Sequence, residues 1–429
     1  MAAKKAVKKT AKKTAKKKAP PIAAAPSATA IGCAPTAGVG SRELNKAEKT
    51  KILNALRNEL GDRLTTADEA SAPYLVRRPT GIIDLDVHLG GGFPAGGPSM
   101  LGGPFNSGKS WLLWRMIAEQ QRIYGDDFMG AIANVETAIP YDQAIAAGCR
   151  IAVPDDIINQ WAEINRQRHE PDFTSEQIDY FKTQVGVLEL INGDTGEDIL
   201  NNVLKLNEKN IFSIIGVDSV SALLPAADAD KDLTDEQKRG AHASMMKKFW
   251  LAYVPQMRSG RNYTTLVLTM QAVANQERAS AASFMQKYIK QWDVKGGEAS
   301  KHYSLINLLM WSGDKIKHDK VAIGKYLKYE TRKGKAGTHD NIVGDFPFYY
   351  QIGGVDLHGE LISSAMRRGI LVHYGGKLQL LDGTNKNPVD GICATDETSL
   401  RQRMQESFDF ELAIRREVLI SAGVSCLYR

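Results

Sequence analysis

Short apolar runs alternate with amphipathic segments along most of the chain from about residue 76 onward. The apolar runs have the length of buried strands, and the segments between them repeat apolar residues every three to four positions, as helices do. This alternation predicts an α/β fold in which a largely parallel central sheet is flanked by helices. Strands are predicted at 98–101, 131–135, 186–191, 211–217, 265–270 and 304–311. Helices are predicted at 111–124, 195–207 and 241–253.

Changes in this pattern predict where the chain divides. A Lys/Ala/Pro-rich start lacks the apolar bulk that a core requires, so it is expected to be disordered. A polar stretch interrupts the core as a surface insertion, and a mixed segment of the length of a small domain ends the chain. The predicted divisions are a tail at 1–42, an N-terminal helical segment at 43–75, a core at 76–351 with an insertion at 154–182, and a small C-terminal domain at 352–429.

A helix is predicted at 44–60, where four apolar residues share one face. They are Ile52, Leu53, Leu56 and Leu60. The pattern alone does not decide whether this face packs on its own domain or on a neighbouring subunit.

The net charge of +6 is unevenly distributed, because nine of the 55 basic residues and none of the 49 acidic ones lie in the first 41 residues. The remainder is therefore slightly acidic, with a charge of −3. Dense positive charge without aromatic residues is typical of sequence-independent attraction to phosphate backbones through counterion release. A merely solvated tail is the alternative.

Cysteine usage and hydropathy limit the class of protein. The four cysteines are scattered without a C-x-x-C pair, which argues against a zinc ribbon or a disulfide scaffold and is typical of a reducing cytosol. The sequence contains neither an 18-residue apolar run nor a signal-peptide pattern. We therefore expect a cytoplasmic protein without a membrane partner.

The clearest motif is G-P-F-N-S-G-K-S, which has the G-x-x-x-x-G-K-S spacing of a phosphate-binding loop, or P-loop. Its glycines let consecutive N–H groups face phosphates, and the helix that follows adds its positive dipole end. Lys109 is expected to reach the β- and γ-phosphates, and the Ser110 hydroxyl to ligate Mg²⁺. The alternative is a glycine-rich turn with a surface lysine. The predicted nucleotide-binding residues are Gly103, Pro104, Phe105, Asn106, Ser107, Gly108, Lys109 and Ser110.

Three further predicted strands end in a polar residue. Asp218 follows I-I-G-V, Glu136 follows A-I-A-N-V, and Gln271 follows T-L-V-L-T-M. Ligands of parallel sheets bind at the carboxyl ends of the strands, so these side chains are expected near the P-loop. There Asp218 would hold the Mg²⁺ shell, Glu136 would orient water, and Gln271 would bond a γ-phosphate oxygen. A strand-terminating turn and an exposed strand-end glutamate are the alternatives for the two acids.

Six segments occur in an order that resembles a known family. They are G-P-F-N-S-G-K-S, N-V-E-T-A-I-P-Y-D, G-D-T-G-E-D-I-L, G-V-D-S-V-S-A-L-L-P, V-L-T-M-Q and K-G-G-E-A-S-K-H-Y. Together they resemble the RecA recombinase family, in a divergent form similar to phage-type UvsX recombinases, over about residues 76–361. The resemblance implies a RecA-like P-loop ATPase core with a mostly parallel sheet, an N-terminal helix that joins filament subunits, and a small C-terminal domain.

The resemblance also implies roles for individual residues. It makes Glu136 the hydrolytic base and Gln271 the sensor that connects the γ-phosphate to DNA. Lys333 and Lys335 align with two lysines that reach the γ-phosphate of the neighbouring protomer, although a Lys-rich turn would have the same sequence. Tyr141 stands near the position of the family's adenine contact, but in a shifted register.

Two segments take the places of the family's DNA-binding loops, at about 226–240 and 272–295. The first is unusually acidic. In the second, aromatic residues recur every four positions among lysines, a pattern suited to stacking bases and neutralising phosphates. The same spacing fits an amphipathic helix that buries its aromatic face. The predicted DNA-binding residues are Phe284, Lys287, Tyr288, Lys290, Trp292 and Lys295.

The implied function is that of an ATP-dependent DNA recombinase with ATP and Mg²⁺ as cofactors. It would form helical homo-oligomeric filaments on single-stranded DNA, pair that strand with homologous double-stranded DNA and exchange strands, in the host cytoplasm if it is phage-encoded. One alternative is a ring-forming RecA-like helicase that translocates on DNA. The other is a DNA-coating regulatory paralogue that does not hydrolyse ATP.

Overall fold

The computed structural model describes residues 45–61, 66–136, 139–229, 240–258, 260–274, 292–294 and 297–424. Two units are distinguished, Met1–Glu59 and Leu60–Arg429. Of the N-terminal unit, residues 45–59 are described, and they contain all but the last residue of helix α1, Lys46–Leu60. The fold below is that of the second unit.

A nine-stranded mixed sheet forms the centre of the second unit, in the order β11-β10-β9-β3-β7-β6-β4-β5, with β8 paired to β7. The six strands from β9 to β5 run parallel, and β10, β11 and β8 are antiparallel additions. The strands are β3 (Pro98–Gly103), β4 (Met129–Asn134), β5 (Val187–Leu190), β6 (Ile214–Asp218), β7 (Thr265–Ala274), β8 (Trp292–Val294), β9 (Ile306–His318), β10 (Val321–Gly334) and β11 (Val343–Tyr349). A short ribbon precedes them, consisting of β1 (Arg77–Arg78) and β2 (Phe93–Pro94).

Helices cover both faces of this sheet, as expected for parallel strands that are apolar on both sides. One face buries a cluster centred on the helix after the P-loop, and the other buries a cluster shared with α8 and α10. The helices up to the last core strands are α2 (Ala67–Leu75), α3 (Ile83–His88), α4 (Lys109–Tyr124), α5 (Tyr141–Ala146), α6 (Asp155–Gln167), α7 (Ser175–Lys182), α8 (Gly196–Lys209), α9 (Ala226–Ala229), α10 (Ala241–Arg258) and α11 (Gly297–Tyr303).

The predicted α/β class and its mostly parallel sheet are confirmed, and each strand predicted from the apolar runs is present. The antiparallel extension was not predicted. Strand β9 continues to His318 instead of ending near residue 311, and β10 and β11 follow it. Exposed positions of β10 carry the apolar residues Val321, Ile323 and Tyr326, so apolar character does not mark the buried face over the whole strand.

The segment predicted as the second DNA loop is a β-strand, rather than a loop, near each of its two ends. Strand β7 runs past Gln271 to Ala274 and pairs with β8 in an antiparallel ladder from Ala272↔Val294 to Ala274↔Trp292. Extended backbone at these positions has its hydrogen bonds satisfied by the opposite strand. Residues 275–291 lie outside the described part of the chain.

The polar insertion forms two helices, α6 and α7, closed by a small aromatic cluster. Phe181 makes edge contacts with Trp161 and Phe173, with ring centroids 5.5 and 5.1 Å apart. The Arg150 guanidinium lies 4.1 Å from the centroid of the Tyr180 ring. The aromatic contacts hold the parts of the insertion together, and the Arg150 contact connects it to the preceding part of the core.

The C-terminal part has a small sheet and a hydrophobic cluster of its own. Strands β12 (Leu371–Tyr374), β13 (Lys377–Leu381) and β14 (Pro388–Ala394) form an antiparallel sheet. It packs with helices α12 (Leu357–Arg367), α13 (Glu397–Glu406) and α14 (Phe408–Ser421). Ile83 of α3 joins the same cluster, so this part is continuous with the core rather than separate from it. The predicted boundary at residue 352 stays a prediction.

Helix α1 begins within two residues of its predicted start and ends at Leu60. None of its residues is buried, and the predicted apolar face is exposed. Among the described helices, none has the combination of length and apolar character needed to cross a membrane.

Candidate active site

A cavity of about 350 Å³ opens at the carboxyl edge of the parallel strands. The P-loop forms its floor, and the ends of β4 and β6 together with Gln271 of β7 form one wall. Strands β10 and β11 form the opposite wall. The lining residues are Phe105, Asn106, Ser107, Gly108, Lys109, Ser110, Trp111, Asn134, Glu136, Pro140, Gln143, Asp218, Ser219, Gln271, Lys325, Leu327 and Phe348.

The P-loop connects β3 to α4, and its two motif glycines are required by their surroundings. Gly108 is the N-cap of α4 and has a φ of 87°, which favours glycine over residues with a Cβ. A Cβ on Gly103 would lie 2.4 Å from the carbonyl oxygen of Met310. The loop therefore has the tight backbone that a phosphate cradle needs, at the positive end of a 16-residue helix.

Lys109 is folded back onto this loop. Its ammonium donates to the carbonyl oxygens of Gly103 and Pro104 at 3.0 and 2.9 Å and to Ser107 Oγ at 3.3 Å. Burial lowers the pKa of Lys109, whereas the charges of Asp218 and Glu136 act in the opposite direction. The ammonium thus lies between the loop and two carboxylates, where a phosphate group would find a positive charge.

Asp218 ends β6 beneath the same cavity and is 7% exposed. Burial raises its pKa, and hydrogen bonds from Thr269 and Ser110 and the charge of Lys109 lower it. Mg²⁺ in nucleotide sites is held by few protein oxygens together with phosphate oxygens. The Ser110 hydroxyl and the Asp218 carboxylate, which are hydrogen-bonded to each other, fit this requirement.

Glu136 follows β4 and reaches the cavity from the neighbouring strand. The register Asn134↔Asp218 brings the ends of β4 and β6 side by side. Ser219 Oγ donates to Glu136 Oε1 at 2.5 Å and holds one carboxylate oxygen in place. Glu136 itself is exposed, so water can approach it.

Gln271 lies within β7 rather than at its tip, directly opposite Gly103 of the P-loop in the parallel register. Its backbone N–H donates to Ser221 Oγ at 3.0 Å. Its exposed side chain lines the cavity. The four residues Lys109, Glu136, Asp218 and Gln271 therefore meet at one cavity, as the strand-end argument predicts.

Other predicted site residues lie away from the cavity or outside the described chain. Tyr141 begins α5 and packs against the core, whereas the nearby Pro140 and Gln143 line the cavity. Lys333 lies near the end of β10, where its ammonium donates to the carbonyl oxygens of Lys301 and His302 at 2.7 and 2.5 Å. Lys335 follows the same strand.

Burial and the neighbouring Lys335 lower the pKa of Lys333 to about 8. Neither lysine lines the cavity of its own chain. Trp292 is in β8. Phe284, Lys287, Tyr288, Lys290 and Lys295 lie outside the described residues, as do residues 230–239 of the first proposed DNA loop, which begins with the short helix α9.

The wall formed by β10 and β11 was not predicted from the sequence. Lys325, Leu327 and Phe348 line the cavity from these strands, and Ser312 of β9 contacts the P-loop backbone. The order Lys-Tyr-Leu in K-Y-L-K-Y-E contains the alternation of a strand, but nothing in it indicates a neighbour more than 200 residues earlier in the chain.

Comparison with known proteins finds similarity to RecA proteins over much of the chain. The chain is 27% identical over 258 residues to Protein RecA of Chloroflexus aggregans, which covers 60% of this chain and 60% of that protein. It is 27% identical over 316 residues to Protein RecA of Acidothermus cellulolyticus, covering 73% and 77% of the two chains. It is 24% identical over 347 residues to a plasmid Protein RecA of Lactococcus lactis, covering 78% and 84%. No protein-family model matches the chain.

Similarity at comparable identity extends to several other RecA proteins. The described sheet has the mostly parallel order, with helices on both faces, that the resemblance implies. In sequence and in fold, the chain is therefore similar to RecA proteins, at 24–27% identity.

Proposed function

We propose that the protein is an ATP-dependent DNA recombinase that assembles on single-stranded DNA and exchanges strands with a homologous duplex. One observation carries the proposal. Lys109, Glu136, Asp218 and Gln271 come from four separate segments and line a single cavity at the sheet edge. A glycine-rich turn with a surface lysine would not require the other three side chains to converge on it.

The proposed chemistry is transfer of the γ-phosphoryl group of ATP to water, which depends on positioning and charge stabilisation. Loop N–H groups and Lys109 would bind the phosphates. To do so, the Lys109 ammonium would leave the carbonyl oxygens of Gly103 and Pro104 and bind phosphate oxygens instead. Ser110 and Asp218 would hold Mg²⁺, which neutralises charge on the phosphate oxygens when it is bound. Glu136, held by Ser219, would orient the attacking water and accept its proton.

Gln271 is well placed to connect this chemistry to DNA. Its backbone belongs to β7, which continues three residues further into the ladder with β8 and then into the proposed second DNA loop. A hydrogen bond from Gln271 to the γ-phosphate would be lost on hydrolysis, and the strand that carries it would then shift relative to the P-loop. ATP binding would thereby favour DNA binding, and hydrolysis would favour release.

Assembly into a filament would complete the site. Lys333 and Lys335 point to this arrangement because they carry two close positive charges that do not line their own cavity. In a filament they would approach the γ-phosphate of the adjacent protomer. The exposed apolar face of α1 would serve as the contact between protomers.

The test combines one substitution with electron microscopy. Glu136→Gln should reduce ATP turnover about a hundredfold or more, since it removes the general base, and should preserve DNA binding. Glu189→Gln is the matched control, because Glu189 is an exposed glutamate on the adjacent strand β5 and outside the cavity. Its turnover should equal that of the unaltered protein.

With ATP and single-stranded DNA, the Glu136→Gln protein should form long-lived helical filaments in negative-stain images. Unchanged turnover would assign the base to another residue. Closed hexameric rings would replace the proposal with a translocating helicase.

A further inference from the structure

Strand β10 contacts the P-loop at two points, and the second of these is formed by a lysine. Leu327 packs beneath Gly108, where an added Cβ would lie 2.7 Å from Leu327 Cδ1. Two residues earlier on the same face of the strand, Lys325 Nζ donates to the backbone carbonyl oxygen of Asn106 at 2.8 Å. Ser312 Oγ of β9 donates to the same oxygen at 2.8 Å and accepts from Lys325 Nζ at 3.0 Å.

The residue held in this way is the unusual one in the loop. Asn106 has a φ of 57°, a left-handed conformation that residues with a Cβ adopt infrequently. Its side chain is exposed, and its carbonyl oxygen accepts hydrogen bonds from Lys325 and Ser312, which restrain this part of the backbone. The loop apex is therefore held from outside, by the antiparallel extension of the sheet.

The orientation of this carbonyl determines the orientation of the next N–H group. In a trans peptide the C=O and the following N–H point in opposite directions. With the Asn106 oxygen directed at Lys325, the N–H of Ser107 points away from Lys325. In a P-loop the successive N–H groups are the phosphate ligands, so an incorrect orientation of one peptide removes a donor from the cradle.

We propose that Lys325, together with Ser312, is a positioning residue for polyphosphate binding: it fixes the 106–107 peptide so that the Ser107 N–H faces the phosphates. This role rests on the proposed nucleotide function of the cavity and adds to it a residue that acts through the backbone. Partial burial lowers the pKa of Lys325, which agrees with an ammonium that lies between β10 and the loop.

The experiment measures ADP affinity by isothermal titration calorimetry for a set of single and double variants. Lys325→Met removes the ammonium at nearly constant length and should weaken ADP binding about tenfold, the effect of losing one hydrogen bond to a charged group. Lys325→Arg retains a donor and should recover most of the affinity. Ser312→Ala should weaken binding roughly twofold to threefold, since a neutral hydrogen bond contributes less.

Lys315→Met is the matched control. Lys315 is exposed, lies directly opposite Lys325 in the β9–β10 ladder and does not line the cavity, so its substitution removes the same charge at a neighbouring position outside the site. Its ADP affinity should stay within about twofold of the unaltered protein, because exposed charges are well screened.

A double variant separates positioning from direct contact with phosphate. Because Lys325 and Ser312 act on the same carbonyl oxygen, the loss of ADP affinity in Lys325→Met with Ser312→Ala should differ from the sum of the two single losses in free energy. Additive losses would contradict a shared action through Asn106.

In steady-state ATP turnover, Lys325→Met should raise KM about tenfold and leave kcat nearly unchanged, which a general loss of folding would not do.

The outcomes also separate this inference from the proposed function. Equal ADP affinities of Lys325→Met and Lys315→Met would overturn the positioning role and leave the nucleotide site intact. If Lys325→Met does not fold, the Lys325→Arg and Ser312→Ala measurements still decide the matter, since both must match the stated values. Failure of the unaltered protein to bind ADP would overturn the nucleotide function itself, and the positioning role with it.

Discussion

Helix α4 has charged side chains beside an open cavity at its N-terminus and in a buried network towards its other end. At its N-terminus, Lys109 borders an open cavity together with Asp218 and Glu136. At its other end, Glu119 is 1% exposed and belongs to a network with two arginines of α4 and with residues of α14. At the N-terminus of α4, a ligand can replace the present partners of the charged groups. At the other end, the charged side chains neutralise one another.

The buried network joins the helix after the P-loop to the C-terminal part. Arg122 binds Glu411 through two hydrogen bonds of 2.8 and 2.9 Å. Arg415 donates to Glu411 at 2.7 Å, to Glu119 at 3.3 Å and to the Gly81 carbonyl oxygen at 3.0 Å. A network of this kind costs desolvation, but removal of one member leaves an unpaired buried charge. The comparison therefore predicts functional loss from changes at one end of α4 and loss of stability from changes at the other.

The largest effect is expected at the buried end. Arg415→Met should lower the free energy of unfolding by about 3–5 kcal/mol, because it leaves Glu119 and Glu411 with less compensation. Urea denaturation followed by tryptophan fluorescence measures this. Arg416→Met is the control, since Arg416 is the exposed neighbour on the same helix and its loss should change stability by less than about 0.5 kcal/mol. Equal stabilities of the two variants would remove the distinction between the ends.

The opposite pattern is expected at the cavity. Lys109→Met should reduce ATP turnover about 10²- to 10³-fold, the range observed when one preorganised donor to transition-state charge is removed. Its urea midpoint should remain close to that of the unaltered protein, because the carbonyl oxygens that Lys109 contacts border an open cavity where water can replace it. A large loss of stability would show that Lys109 is mainly structural.

The buried network at Glu411 also predicts a pH dependence of stability. Burial opposes ionisation of Glu411, but the charge of Arg415 and hydrogen bonds from His358 and Arg122 outweigh it and hold the pKa of Glu411 below its usual range. A carboxyl whose folded pKa is depressed stabilises the fold above its unfolded pKa, about 4.3, and this contribution is lost as the pH falls below that value. The stability advantage of the unaltered protein over Glu411→Gln should thus shrink between about pH 5 and pH 3.

Measuring this difference by urea denaturation at each pH cancels contributions common to both proteins. One of them is Asp86, whose pKa burial raises to about 7 and which acts in the opposite direction. A stability difference that stays constant from pH 7 to pH 3 would show that Glu411 is not held ionised by the network.

The smallest effect is expected outside both ends, in the Lys-rich tail. Deletion of residues 1–41 should weaken binding to duplex DNA roughly severalfold at low salt and lower its salt dependence, because nine lysines are lost. ATP turnover should not change. DNA affinity that is identical at every salt concentration would mean that the tail does not contribute to DNA binding.

The sequence predicts the cavity end of α4 well and the buried end poorly, for a physical reason. Carboxyl ends of parallel strands must meet at one edge, so Asp218 and Glu136 are placed near the P-loop by topology alone. Glu119 and Arg115 are four residues apart on a helix, a spacing that usually indicates an exposed ion pair. Their burial depends on Arg415, which lies almost 300 residues later in the chain. No local sequence pattern predicts the contact between Arg415 and Glu119.

The same limit applies to Lys325. Its contact with Asn106 requires the antiparallel hairpin to fold against the loop, and lysines on an exposed strand predict only a solvated surface. The placement of Gln271 is predicted only in part from the sequence. Its position beside Gly103 follows from strand order, but the continuation of β7 beyond it does not.

A comparison of ATP turnover with and without single-stranded DNA tests the claim that the cavity couples ATP to a bound polynucleotide. We expect DNA to raise turnover in the unaltered protein, and we expect Gln271→Ala to bind ATP normally but to lose that increase. The same turnover with and without DNA in the unaltered protein would contradict the claim.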